Sequence, residues 1–242
     1  MGSLMYKIKT YAELIRFEHT VFALPFAYIG ALLAQKDLFS LEKAFWITLA
    51  MASARSAAMG LNRVIDRFID AANPRTSDRH LPRGLLGVVE VKFFIILSLA
   101  VFVCCVYVLS PYHLVFTPLI ILFLVGYSYT KRFTWLSHLI LGVTDGFAPL
   151  GGWIAVTRQA DSTAFLLGAF VAFWIAGFDI IYASLDLDFD REYGLYSMPL
   201  NFGLKNALLI ARFFHVLAGA LLLAVYFILD MGLWYLSGVL LS

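Results

Sequence analysis

Seven stretches of this chain are apolar over about the length a helix needs to cross a bilayer, and no other feature restricts its fold as strongly. The hydrocarbon core is about 30 Å thick, which takes about 20 helical residues. The stretches lie near 20–36, 43–62, 91–110, 112–130, 136–156, 164–184 and 206–229, and an eighth opens near Met231. In lipid every backbone amide must be satisfied internally, so only helices and closed barrels can span. Barrels need short strands of alternating polarity, and these runs are too long and too uniformly apolar. The chain is 62% hydrophobic with a mean hydropathy of +0.84, against about 45–50% apolar residues in soluble domains. The expected fold is therefore all-α: a polytopic transmembrane helix bundle with about eight spans visible. The chain ends inside the eighth stretch, so it is expected to continue past Ser242, and Met1-Gly-Ser reads as an added leader before a native start near Met5.

The charges are segregated by position. With the N-terminus in the cytoplasm, fourteen of the 18 lysines and arginines fall on the cytoplasmic side, from Lys7 and Lys9 to Lys205 and Arg212. Only Lys36, Lys43 and Arg158 fall opposite, and Arg55 lies inside the second span. This is the positive-inside pattern. The net charge of +2 matters less than this asymmetry, and no nucleic-acid partner is expected. Cys104 and Cys105 are adjacent in an apolar run and read as packing residues, since they have no metal-ligand spacing.

Two polar sets interrupt the apolar pattern, both on the side read as cytoplasmic. In Gly60-Leu-Asn-Arg-Val-Ile-Asp-Arg-Phe-Ile-Asp70, the residues Asn62, Asp66 and Asp70 recur at spacings of four, which places them on one helix face. The second set, Tyr182-Ala-Ser-Leu-Asp186-Leu-Asp-Phe-Asp190, also closes an apolar stretch. Converging carboxylates repel one another without cations. Hard oxygen donors suit Mg²⁺, which takes one or two protein carboxylates and completes its shell with water and substrate phosphate. Asp66, Asp70, Asp186, Asp190 and Asn62 are the candidate ligands. Asp188 is offset from that face and reads as a solvated acid. Asp179 lies seven residues before Asp186 and deeper in its span, where an ionisable group is costly and usually functional; it is a candidate to support the metal site or meet substrate.

Cationic partners for a polyanion lie nearby. Arg79 stands in the connector Asn73-Pro-Arg-Thr-Ser-Asp-Arg-His-Leu-Pro-Arg-Gly84, and Lys131 and Arg132 follow the fourth span. Arginine forks and lysine point charges both suit phosphate oxygens. Arg55 shares the face of Asn62 and needs an anion: substrate carboxylate or phosphate, Asp145 or Asp179. Asp145 sits among Gly142, Gly146 and Pro149, which can loosen a helix beside a cavity, and a neutral Asp145 in a polar pocket is the competing reading. Some of the 22 Phe and 12 Tyr could line an apolar channel for an isoprenoid tail.

These motifs resemble the UbiA superfamily of intramembrane prenyltransferases. Its first motif, Asn-x-x-x-Asp-x-x-x-Asp, is similar to Asn62, Asp66 and Asp70, continued by Asn73-Pro-Arg-Thr-x-x-Arg79. Its second resembles Asp179-x-x-Tyr182-x-x-x-Asp186-x-x-x-Asp190, and its Tyr-x-x-x-Lys-Arg segment resembles Tyr127-Ser-Tyr-Thr-Lys131-Arg132. The likeness runs from about Phe17 to Gly203 and is strongest to the 4-hydroxybenzoate polyprenyltransferase branch. It implies one integral membrane domain over 1–242; within it, spans two and six each end in an acid-bearing segment, which suggests two pseudo-related four-helix halves near 17–130 and 136–242. It also implies a site opening on the cytoplasmic side, with Mg²⁺ as cofactor. A prenyl diphosphate, geranyl or longer, would be held between the two acidic motifs, with Arg79, Lys131 and Arg132 on its phosphates and Arg55, Tyr182, Asp145 and Asp179 binding substrate. The implied reaction is transfer of the polyprenyl group to an aromatic acceptor such as 4-hydroxybenzoate in ubiquinone or menaquinone biosynthesis. The family usually has nine spans, and some members that prenylate benzoates carry a lysine after the second motif, where this chain has Gly194-Leu-Tyr196-Ser. A glycerol-phosphate lipid or a haem is the alternative acceptor, and a cation transporter is the alternative outside enzymes.

Overall fold

The computed structural model describes residues 2–35 and 40–241. Lys36, counted above on the outer side, lies outside the described residues, as do Met1 and Ser242. Every regular element among the described residues is helical. In order these are α1 (Gly2–Leu14), α2 (Phe17–Gln35), α3 (Leu41–Ala72), α4 (Val88–Leu109), a 3₁₀ turn (Pro111–Phe116), α5 (Thr117–Thr130), α6 (Ser137–Thr157), α7 (Ser162–Ala183), a second 3₁₀ turn (Ser184–Asp186), α8 (Leu187–Tyr193), α9 (Met198–Phe202), α10 (Leu204–Ile228) and α11 (Leu233–Leu241).

Among the described residues, five helical stretches are both long and apolar enough to cross a membrane: Val88–Leu109, Pro111–Thr130, Ser137–Thr157, Ser162–Tyr193 and Leu204–Ile228. They coincide with the third to seventh spans expected from the sequence. The first expected span is a shorter apolar helix, Thr20–Gln35. The second is the leading part of α3, a 32-residue helix that runs on through the whole of the first acidic motif. Its polar load, from Glu42 to Asp70, lowers its hydropathy, so it does not stand among these five.

Helix ends follow local chemistry. The Ser40 hydroxyl accepts from the Lys43 amide at 3.3 Å to start α3, and Asp161 Oδ1 accepts from the Ala164 amide at 3.0 Å to start α7, both ordinary N-caps. Gly194 ends α8 with φ +72°, in the left-handed region where only glycine sits without cost.

The chain divides into two compact units. One takes residues up to Pro25 together with Ser40–Ser128; the other takes the chain from Phe26 to the end of α2 together with everything from Tyr129. The earlier break falls inside α2, after Pro25.

In the first unit α3 and α4 pack around Leu14, Val64, Leu86, Val91 and Ile95. Helix α1 belongs to this core through Leu14, and polar contacts secure it. Arg63 Nε reaches the Leu14 carbonyl at 3.5 Å, satisfying an acceptor left over at the end of α1. Glu13 Oε2 lies 3.3 Å from His80 Nε2 in the connector after α3. Burial, and then a hydrogen bond to Glu90 on α4, push the Tyr11 hydroxyl up to about 12.

In the second unit α7 packs between α6 and α10. Its cores gather Ala176, Ile180, Met198, Ala207, Ala211 and Phe214 in one place and Trp153, Ala164, Leu167 and Val225 in another. The α6–α7 approach depends on Gly142, where a Cβ would collide with the Ala172 carbonyl.

Candidate active site

The first motif is one continuous helical face. Asn62, Asp66 and Asp70 lie on α3, and both carboxylates are buried, Asp66 at 1% exposure and Asp70 at 3%. Asn62 Nδ2 donates to Asp66 Oδ2 at 2.9 Å and also approaches Ser128 Oγ on α5 at 3.3 Å. One turn earlier the Tyr127 hydroxyl donates to the Ala58 carbonyl at 3.3 Å. Neighbouring residues of α5 thus hold α3 where the motif begins. The motif Tyr127-Ser-Tyr-Thr does not by itself reveal this contact of Ser128.

The connector folds back on the end of α3. The Asn73 side chain accepts from the Arg75 amide at 2.9 Å, an Asx turn. The Asn73 carbonyl accepts from Thr76 and Ser77 at 2.9 Å each, and the Thr76 hydroxyl donates to the Asp70 carbonyl at 3.1 Å. This turn returns Arg79 to the motif, where its Nη1 meets Asp70 Oδ1 at 2.6 Å. The arginine expected to face phosphate is thus anchored to the motif's own carboxylate. The other oxygen, Asp70 Oδ2, is buried with no hydrogen-bond partner. A buried charged oxygen without a donor is expensive, and a cation is the partner that suits it.

The second motif is built differently. The 3₁₀ turn over Ser184–Asp186 breaks the helix, and Asp186 stands at the start of α8 rather than inside one continuous helix. A 3₁₀ turn advances more per residue than an α-helix, so the uniform spacing of four does not make one straight face. Asp190 has Asp186 and Lys131 as charged neighbours; the buried Ser197 hydroxyl lies beside it without forming a hydrogen bond of good geometry. The Lys131 carbonyl accepts from the Tyr196 amide at 2.8 Å, which ties the turn after α5 to the segment after α8. Asp188 is 98% exposed and pairs at 3.5 Å with Arg191. A cleft of about 350 Å³ is lined by Gly194, Leu195, Tyr196, Ser197, Leu200 and Asn201.

Asp179 pairs with a residue outside both motifs. Its Oδ2 lies 2.7 Å from His138 Nδ1 on α6. His138 is 4% exposed, and its Nε2 accepts from the Met198 amide at 3.2 Å. A lone histidine in an apolar span was the available signal, because ionisable groups there are costly. Arg55 is half-buried on α3, Asp145 half-buried on α6, Tyr182 exposed on α7, and Arg132 lies over the Tyr129 ring at 5.4 Å.

Among the described residues no three His, Cys, Asp or Glu side chains lie close enough to hold a metal ion. Each motif offers a carboxylate pair instead, which suits Mg²⁺ completing its shell from water and phosphate.

The model of the UbiA prenyltransferase family matches residues 23–242. The chain belongs to that family. UbiA-family members are prenyltransferases, and this chain is an enzyme of that type. It is 31% identical over 150 residues to a 4-hydroxybenzoate octaprenyltransferase of Aliivibrio fischeri, covering 62% of this chain but only about half, 52%, of that relative. The same-named protein of Vibrio atlanticus is 27% identical over 96% of this chain and 80% of its own length. A protoheme IX farnesyltransferase of Methylococcus capsulatus is 30% identical over 81% and 67%. Among solved structures, a UbiA homolog from Aeropyrum pernix superposes with a TM-score of 0.86 at 35% identity, covering 93% of this chain and 84% of that one. Digeranylgeranylglyceryl phosphate synthase gives 0.78 at 26% identity, over 98% and 83%. A UbiA homolog from Archaeoglobus fulgidus, solved with GPP and Mg²⁺, gives 0.71 at 20% identity over 90% and 78%, a likeness of fold.

Proposed function

We propose that this UbiA-family protein transfers a polyprenyl group from a prenyl diphosphate to an aromatic acceptor of the 4-hydroxybenzoate type within the membrane, as a step in quinone formation. The observation that carries the reading is the buried Asp66–Asp70 face, where Asp70 Oδ2 has no donor although Arg79 holds the other oxygen. Two relatives named for 4-hydroxybenzoate prenylation support the acceptor class.

Asp66 and Asp70, with Asp186 and Asp190, would hold Mg²⁺, and Asn62 would orient Asp66. Bound Mg²⁺ supplies charge neutralisation for the diphosphate as it departs. Arg79, Lys131 and Arg132 neutralise the phosphate oxygens that remain. Asn62 lends a donor to Asp66 without adding charge. Arg55, Tyr182, Asp145 and Asp179 bind substrate, and apolar walls keep water from the allylic cation. The site opens on the cytoplasmic side, as the lysine and arginine asymmetry indicates.

A second reading keeps the donor and changes the acceptor to a glycerol phosphate lipid. The fit to digeranylgeranylglyceryl phosphate synthase over 98% of this chain favours it, and haem is a third acceptor, after the farnesyltransferase relative. Family membership leaves the transporter reading without support.

The test is a transfer assay on protein in lipid, with geranyl or geranylgeranyl diphosphate and 4-hydroxybenzoate, a glycerol phosphate lipid or haem, with and without Mg²⁺. Mass spectrometry of a Mg²⁺-dependent prenylated 4-hydroxybenzoate is the expected result. Prenylated glycerol phosphate alone replaces the acceptor; no transfer to any acceptor, by protein shown to be folded, removes the reading.

A further inference from the structure

The His138 imidazole has both nitrogens engaged, and the two contacts determine its state. Nε2 lies 3.2 Å from the Met198 amide nitrogen, a group that can only donate. Nε2 is therefore an unprotonated acceptor, and the ring proton sits on Nδ1. Nδ1–H then donates to Asp179 Oδ2 at 2.7 Å, a distance typical of a bond to an ionised acceptor. The ring is 5% exposed at its side chain, while Asp179 is 33% exposed. One carboxylate oxygen is pinned inside the protein, and the carboxylate keeps an accessible edge.

The same ring also organises the chain after the second motif. Met198 opens α9, and its amide is among those a helix start leaves without an internal partner. The preceding residue, Ser197, is the one beside Asp190. A single neutral imidazole thus sets Asp179 on α7 against the segment that closes behind Asp190.

We propose that His138 is a positioning residue for prenyl transfer: it holds Asp179 in one orientation toward substrate and ties the segment carrying Ser197 to the same point. Packing alone does not account for it, because an apolar residue would fill this place on α6 without burying two polar ring atoms. The inference rests on the proposed transferase activity.

Two substitutions separate the two contacts. In His138→Asn the amide nitrogen takes the place of Nδ1 and keeps the bond to Asp179. In His138→Gln the amide oxygen takes the place of Nε2 and keeps the bond from Met198. Turnover of His138→Gln should fall by about tenfold or more, as for a reacting group displaced by a fraction of an ångström, with KM for the prenyl diphosphate little changed. His138→Asn should recover most of that turnover. Equal turnover for both variants and the wild type overturns the proposal, as does equal loss in both at equal folded fraction. Nitrogen-15 NMR of the imidazole gives a readout independent of activity: an Nδ1–H neutral ring is expected, and an imidazolium or an Nε2–H ring at neutral pH overturns it. Wild-type protein that transfers no prenyl group sinks the functional reading, while the NMR result still decides the geometry claimed for His138.

Discussion

Arg79 Nη1 donates to Asp70 Oδ1 across 2.6 Å, closing the connector after α3 onto the last carboxylate of the helix that precedes it. The pair is largely buried, with side-chain exposures of 22% for Arg79 and 5% for Asp70. The turn built by Asn73 and Thr76 is what makes this return possible.

Removing the arginine strands a buried carboxylate. Arg79→Ala should lower stability by about 1.5–3 kcal/mol, the net worth of a hydrogen bond to a charged group. Arg79→Lys should recover only part, because a point charge lacks the guanidinium fork. Thermal unfolding of the purified protein in detergent measures both; an unchanged midpoint for Arg79→Ala would mean the pair contributes nothing.

Asp66→Asn and Asp186→Asn test the assignment of one motif each. Turnover should drop by more than about 10²-fold in either, the scale of losing one electrostatic contact to a transition state. Chelation with EDTA should silence the wild type, and added Mg²⁺ should restore it. Full activity in either variant would remove that motif from the site.

Asn62 tests the charge balance. Asn62→Asp places a carboxylate against buried Asp66 in place of the amide that now donates to it at 2.9 Å. Half-maximal turnover should require less Mg²⁺, because the bound cation relieves the added repulsion and so binds more tightly. Ser128→Ala removes a weaker contact and should cost about 0.5–1.5 kcal/mol without moving the Mg²⁺ requirement. A Mg²⁺ titration of activity distinguishes the two.

Gly142→Ala tests the α6–α7 approach. A methyl there meets the Ala172 carbonyl, whereas one at Gly151 on the same helix meets nothing within 4 Å. Overpacking should cost about 1–3 kcal/mol at Gly142. Gly151→Ala should be neutral or stabilise by up to about 1 kcal/mol. Equal midpoints for the two variants would remove this explanation for the glycine.

Arg63→Met tests the tether on α1. The methionine fills the buried space but leaves the Leu14 carbonyl without its donor. Amide exchange over Gly2–Leu14 should quicken about fivefold, the effect of about 1 kcal/mol. Exchange unchanged from wild type would assign α1 to its apolar contacts alone.

Much of this was legible in the residues themselves. Hydropathy gave five membrane-length helices within a few residues, because in lipid a long apolar run has no stable alternative to a helix. The spacing of Asn62, Asp66 and Asp70 gave their common face, since α3 is uninterrupted through all three. Between Asp179 and Asp190 the helix is interrupted by a 3₁₀ turn at Ser184–Asp186 that no residue type in the sequence marks.

What the chain determined by itself was what depends on near neighbours: helices, caps, the Asx turn at Asn73 and the chemistry of each motif. Tertiary structure alone decided which partners meet across long separations. His138 and Asp179 lie 41 residues apart, and His138 and Met198 lie 60 apart. Ser128 reaches Asn62 over 66 residues. Such pairs depend on how helices pack, and helix packing is set by shape, as where Gly142 admits the Ala172 carbonyl, rather than by any local pattern.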